Sequence, residues 1–205
     1  MSKTILLTIL CTCACVTAFA QDNEEAHNDV SFSFGAAVPA GSDTAYLQKA
    51  PMLLFSYGYR FNRFFQAEGG LQMAFGAANN QNPEQSDFGS VQGGDHELMI
   101  PFSGRFFIPL PLKQWQVSVG GGPTYLHYAE TAPSDYSGCL TCTSRGGWGL
   151  QGFTTVRYFF GDNWYVGTTV QYVSASINGE PVGNIPGTKT TDHWANALFG
   201  VGLRF

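Results

Sequence analysis

From Val30 to Phe205 the sequence keeps returning to one pattern, an apolar residue at every second position, and that period limits what the chain can fold into. Successive side chains of a β-strand point to opposite faces, so a two-residue period describes strands with one greasy and one polar face. Val30, Phe32, Phe34 and Ala36 oppose Ser31, Ser33 and Gly35; Leu53, Phe55, Tyr57, Tyr59 and Phe61 oppose Met52, Leu54, Ser56, Gly58 and Arg60. Phe65 to Phe75, Leu98 to Ile108, Trp115 to Tyr125, Trp148 to Tyr158, Trp164 to Tyr172 and Ala195 to Phe205 repeat the arrangement, which makes eight segments. Most of them reach the roughly 9–11 residues that a tilted strand needs to cross a bilayer. After Ala20 no apolar run approaches the roughly 20 residues of a membrane-spanning helix.

The connections alternate in length. Asn62-Arg63, Pro109 to Gln114 and Gly161 to Asn163 are short, whereas Val38 to Pro51, Ala78 to His96, Thr131 to Arg145 and Asn178 to His193 are long and rich in Gly, Pro, Asn and Ser. Short turns on one side and long loops on the other is the asymmetry of outer-membrane barrels. Lipid offers no partner to an unpaired strand edge, so a sheet that spans it has to close. The expected fold is therefore all-β, an eight-stranded antiparallel up-and-down transmembrane β-barrel over residues 29–205.

Lys3, the apolar stretch from Ile5 to Phe19 and the Ala18-Phe19-Ala20 triplet read as a signal peptide over residues 1–20. Residues 21–28, polar and acidic, read as a periplasmic lead-in. Removing Lys3 with the signal leaves 9 basic against 15 acidic residues, which argues against a nucleic-acid partner. Three of the five cysteines leave with the signal. The two that stay, Cys139 and Cys142, form a C-x-x-C in an external loop. One such pair supplies two ligands where structural zinc takes about four, and export favours oxidation, so a loop-stapling disulfide is expected.

Alternation does not say which face is out, since a soluble barrel would turn the apolar face inward. Aromatics near strand ends (Tyr57, Tyr59, Phe61, Phe65, Trp115, Tyr158 and Trp164) suit girdles at the lipid headgroups, and the polar face is rich in glycine. Phe205 at the C-terminus, preceded at alternate positions by Leu203, Val201 and Phe199, resembles the terminal-strand signature of bacterial outer-membrane barrels. With Met99-Ile100-Pro101-Phe102-Ser103-Gly104-Arg105-Phe106 and Val119-Gly120-Gly121-Gly122-Pro123-Thr124-Tyr125, the chain resembles the small OmpA/OmpX-like outer-membrane β-barrel family across nearly all of residues 29–205. That resemblance implies insertion by the barrel-assembly machinery, with Phe199, Val201, Leu203 and Phe205 as the assembly signature. It also implies contact with outer-membrane lipid and lipopolysaccharide.

Glu68, Arg60, Arg105, Arg157 and Arg204 share the inward parity, and each lies near a short turn or the C-terminus. They are expected to form one charge layer at the periplasmic end, with Glu68 bridging to Arg105. Four arginines against one clear carboxylate leave interior water or anions to complete the layer. His27, His96, His127 and His193 show no triad spacing. Lipid A deacylases of similar size carry His-x-Ser on one strand, whereas here Tyr128 and Ala129 follow His127. No catalytic residue, cofactor or metal site is expected, although the acidic loop residues raise divalent-cation bridging to lipopolysaccharide as a weaker expectation. The first functional expectation is a non-enzymatic envelope or adhesion protein that presents its loops to an external surface ligand. A narrow conduit is the alternative, suggested by the small inner residues Gly120, Gly122, Gly167, Gly200 and Gly202, and a lipid-modifying enzyme comes third.

Overall fold

The computed structural model describes residues 27–40, 48–76, 84–86, 89–91, 94–112, 114–131, 143–179 and 189–205. Eight long strands close into one barrel: β1 (Asn28–Pro39), β2 (Ala50–Arg60), β3 (Phe65–Phe75), β6 (Gly94–Ile108), β7 (Trp115–Thr131), β8 (Thr143–Phe160), β9 (Trp164–Gly179) and β10 (Lys189–Arg204). Two three-residue strands, β4 (Glu84–Ser86) and β5 (Gly89–Val91), pair with each other in a separate hairpin. Around the barrel the order is β1-β10-β9-β8-β7-β6-β3-β2, every neighbour antiparallel. No helix among the described residues is long and apolar enough to cross a membrane. The strands do the crossing.

Closure joins the two ends of the chain. Asp29 faces Arg204 and Ala37 faces Asn196 in a continuous β1–β10 ladder, and the backbones of Asn28 and Phe205 exchange hydrogen bonds at 2.8 and 2.9 Å. Asn28 thus belongs to the first strand, although it falls in the 21–28 segment expected as lead-in. The long connections are also shorter than the sequence suggests. Strand pairing continues past the apolar stretches, to Thr131 on β7, from Thr143 on β8 and from Lys189 on β10, because a ladder remains favourable above the bilayer. The 78–96 segment, expected as loop, contains β4, β5 and the start of β6.

The short turns have local causes. Asn62 Oδ1 accepts the backbone N–H groups of Phe64 and Phe65 at 2.8 and 2.9 Å, an Asx-type closure between β2 and β3. Gly161 takes φ +83° between β8 and β9, a conformation costly for any residue with a Cβ.

The apolar face is the outer one. Leu150 is 69% exposed and Val170 62%, while the inward Gln72, Ser118 and Asn196 are buried at 0–1%. An exposed apolar belt of this extent needs lipid around it. On β7 and β8 the belt is bounded by paired aromatics, Trp115 against Tyr158 with ring centroids 5.1 Å apart and Tyr125 against Trp148 at 5.4 Å. The two pairs lie ten residues apart along each strand. At a rise of ~3.3 Å per residue and a tilt near 45° this separates the girdles by roughly 23 Å, the height of an outer-membrane apolar band.

Candidate functional site

Inward side chains from all eight barrel strands meet in the lumen, which divides into three zones along its axis. The zone near the short turns carries the charges. Arg105 on β6 places its Nε and Nη2 at 2.9 and 3.0 Å from the two Glu68 oxygens, with Nη1 donating to Ser118 Oγ at 2.9 Å. The register explains the pairing, since Gln66 faces Arg105 and Glu68 is the next inward residue along β3. Arg157 on β8 donates from Nη1 to Asp29 Oδ2 at 2.6 Å, and the Tyr165 hydroxyl donates to Asp29 Oδ1 at 2.6 Å. Arg157 also lies over the Tyr165 ring, 4.4 Å from its centroid.

Arg60 and Arg204 are each seated over an aromatic ring. Arg60 stacks on Phe107 at 4.0 Å and Arg204 on Phe159 at 4.8 Å, both nearer the mouth. The single layer expected from sequence is therefore two bridged pairs and, below them, two stacked arginines. Asp29 is the carboxylate missing from the sequence count. It carries the inward parity of Ser31 and Ser33, but it precedes Val30, the first apolar residue of the alternation, so the period itself does not mark it.

The middle zone is polar and nearly full. Ser31 and Ser56 hydroxyls are 2.7 Å apart, Thr155 and Thr169 hydroxyls 2.9 Å apart, and Asn196 donates to Gln171 Oε1 at 2.9 Å while Gln171 donates to Gln151. Between these groups and the charge pairs lies a cavity of about 30 Å³, room for a water or two. At three of the inner glycines a neighbouring side chain occupies the space that the missing Cβ leaves. A Cβ at Gly120 would meet the Phe153 ring, one at Gly202 the Tyr165 ring and one at Gly200 the Ser33 side chain. Each glycine is the hole into which a neighbour's side chain packs, the small-and-large complementarity of narrow barrels.

Towards the long loops the lumen turns apolar. Met52, Met99, Leu126, Val173, Ile177, Trp194 and Leu198 form a cluster at 0–2% exposure. Two polar groups enter it: Trp194 Nε1 donates to Glu97 Oε1 at 3.0 Å, and the Gln72 amide lies 3.0 and 3.4 Å from the sulfurs of Met52 and Met99. Met52 carries the inward parity in the sequence, whereas the other inward Met, Leu and Val residues of the cluster are outnumbered there by Gly, Ser and Thr.

The terminal-strand residues face outward. Phe199, Val201 and Phe205 are 45–54% exposed, and Phe199 packs edge-on against Phe34 at 5.9 Å. His27 Nδ1 is 2.9 Å from the Arg60 carbonyl oxygen and His193 Nδ1 is 3.1 Å from the Tyr172 hydroxyl, so these two imidazoles sit at the barrel's two rims. Among the described residues no group of three or more His, Cys, Asp or Glu side chains is gathered in metal-binding range. Cys139 and Cys142, the signal segment 1–20, and Asp43, Asp87, Asp135 and Glu180 of the acidic rim lie outside the described residues.

Residues 6–205 match the family model described as outer membrane protein beta-barrel domain. The chain belongs to that family. Its members' location, the outer membrane of bacteria, fits the lipid-facing belt, and this outer membrane β-barrel has solved neighbours in Gram-negative species. Neisserial surface protein A aligns with TM-score 0.62 at 13% identity over 89% of this chain and 100% of that one. The outer membrane protein OprG of Pseudomonas aeruginosa aligns with TM-score 0.56 at 15% identity over 89% and 98%. Ail, the attachment invasion locus protein of Yersinia pestis, aligns with TM-score 0.53 at 11% identity over 89% and 100%. At such identities the likeness is one of fold. No curated protein matches by sequence.

Proposed function

We propose that this outer membrane β-barrel is a non-enzymatic, non-conducting scaffold whose extracellular loops engage an external ligand or stabilise the envelope. The observation that carries this reading is the filled lumen: two bridged ion pairs, Phe153 and Tyr165 seated on glycines, and a buried apolar cluster succeed one another along the axis. A wall so occupied leaves variable chemistry to the loops, where barrel scaffolds carry it. Ail, named for attachment and invasion, offers a precedent on a similar fold. In the same reading residues 1–20 are removed on export, Cys139 and Cys142 staple a loop, and the partners are the barrel-assembly machinery, lipid and lipopolysaccharide.

Planar-bilayer recording tests the proposal. The purified, folded protein is expected to give no steady unitary current, and reproducible open events would replace the scaffold with a conduit. Incubation with acyl-labelled lipopolysaccharide is expected to leave the acyl chains unchanged; released or transferred label would make the protein an enzyme.

A further inference from the structure

Below the charge pairs, the three short turns enclose a recess of about 680 Å³ that opens at the periplasmic end. Its floor is closed by Phe107 and Phe159, 3% and 7% exposed, so it is a terminal pocket and not the entry to a passage. The volume lies in the range of small-molecule sites, roughly 300–1,000 Å³. Two guanidinium groups line it, Arg63 from the β2–β3 turn and Arg204 from the last strand, against the single carboxylate of Asp162 among the described lining residues. Arg204 is stacked on Phe159, and its buried Nε has no hydrogen-bond acceptor among the described residues. Arg63 is held over Phe64 at 4.7 Å. Stacking leaves the in-plane N–H donors of both guanidinium groups free to bind an oxyanion in the fork geometry that arginine provides.

The rest of the lining is greasy. Ile108, Leu110 and Leu112 are 37–58% exposed beside Trp115. The exposed aromatics at this end, Phe61, Phe65, Trp115 and Trp164, mark the level of the inner-leaflet headgroups. Cationic donors, apolar walls and headgroup depth coincide. We propose that this recess binds the phosphate-ester head of an anionic phospholipid, with Arg204 and Arg63 on the phosphate and Leu110 and Leu112 against the glyceride. The site is independent of whatever the loops engage on the opposite side.

Isothermal titration of the full-length folded protein in dodecyl maltoside tests it, with dihexanoyl phosphatidylglycerol, dihexanoyl phosphatidylcholine and inorganic phosphate as separate titrants and protein-free micelles as blank. Phosphatidylglycerol is expected to bind saturably and phosphatidylcholine not. Binding should weaken about ten-fold in Arg204→Gln and in Arg63→Gln, the loss that goes with one charge-assisted hydrogen bond. Arg63 lies in a turn, so its variant keeps the test valid if Arg204→Gln, in the terminal strand, does not fold by heat-modifiable migration. Inorganic phosphate binding as tightly as phosphatidylglycerol would overturn the lipid assignment in favour of a free phosphate. Absence of saturable binding by both anions, or undiminished binding in folded Arg63→Gln, would overturn the site.

Discussion

Asp29→Ala isolates the contact that sequence parity overlooked. The substitution removes the carboxylate that receives Arg157 at 2.6 Å and the Tyr165 hydroxyl at 2.6 Å, in a place where Asp29 is 3% exposed and Arg157 2%. A buried charge stripped of its partner costs about 3–5 kcal/mol, and an orphaned hydroxyl about 1–3 kcal/mol more. The neighbouring cavity of about 30 Å³ also borders Arg157 and Tyr165, and water there offsets part of the loss. The net expectation is about 3 kcal/mol or more of destabilisation, measured by urea unfolding from phosphatidylcholine vesicles with tryptophan fluorescence. Asp29→Ala combined with Arg157→Met should recover most of that loss, because no lone charge then remains buried. If Asp29→Ala cost less than about 1 kcal/mol, or if the double variant were simply additive, the pair would not be the desolvated bridge described above.

Gly202→Val is expected to displace the Tyr165 ring from its seat and with it the hydroxyl from Asp29, costing about 1–3 kcal/mol in the same unfolding assay. The cost should shrink when Tyr165→Ala is already present, and an equal cost in both backgrounds would dismiss the seat. Leu126→Glu, at 0% exposure in the apolar zone near the loops, is expected to lower stability by about 3 kcal/mol or more at neutral pH. A Leu126→Glu barrel as stable as its parent would mean that this zone is wet.

The strand period alone places the barrel: each of the eight alternating segments is a barrel strand, and each outward parity is the greasy one. The parity of Glu68 and Arg105 was equally open to view, and the β3–β6 register brings their side chains to 2.7 Å. What parity cannot supply is height. Arg60 and Arg204 share the inward face with Arg105 and Arg157, but strand tilt carries them below the ion pairs to Phe107 and Phe159, and tilt is a property of the closed sheet. Nor does a glycine on the inner face announce whether it makes space or receives a ring. That depends on which residue lies opposite: Phe153 faces Gly120 across β7–β8, whereas Tyr165 faces Gly202 across β9–β10. The extra length of β6 to β10 was hidden for another reason. Beyond the membrane the two faces no longer meet different solvents, so the alternation fades while the backbone ladder goes on.

The order of the three zones matches the direction in which such a chain enters its membrane. Short turns and both described chain ends stay on the periplasmic side, while the long-loop ends of the strands have to traverse the hydrocarbon. An arginine at the bilayer midplane costs about 2–4 kcal/mol, falling to about 0–1 kcal/mol near the interface. Arg60, Arg105, Arg157 and Arg204 all occupy the half of the lumen that need not pass the midplane. The inward residues that do pass it are chiefly Met52, Ala74, Met99, Leu126, Val173 and Leu198, which are cheap to carry through lipid before the lumen exists to shelter them. Polar residues are present in that half too: Asn196 lies between Trp194 and Leu198 on β10, and Glu97 and Gln72 are hydrogen-bonded to residues of the same cluster, Trp194 for the carboxylate and Met52 and Met99 for the amide. An interior graded from charged to apolar thus serves two conditions at once: it fills a narrow cylinder, and it keeps most of the desolvation cost out of the step in which the strands cross.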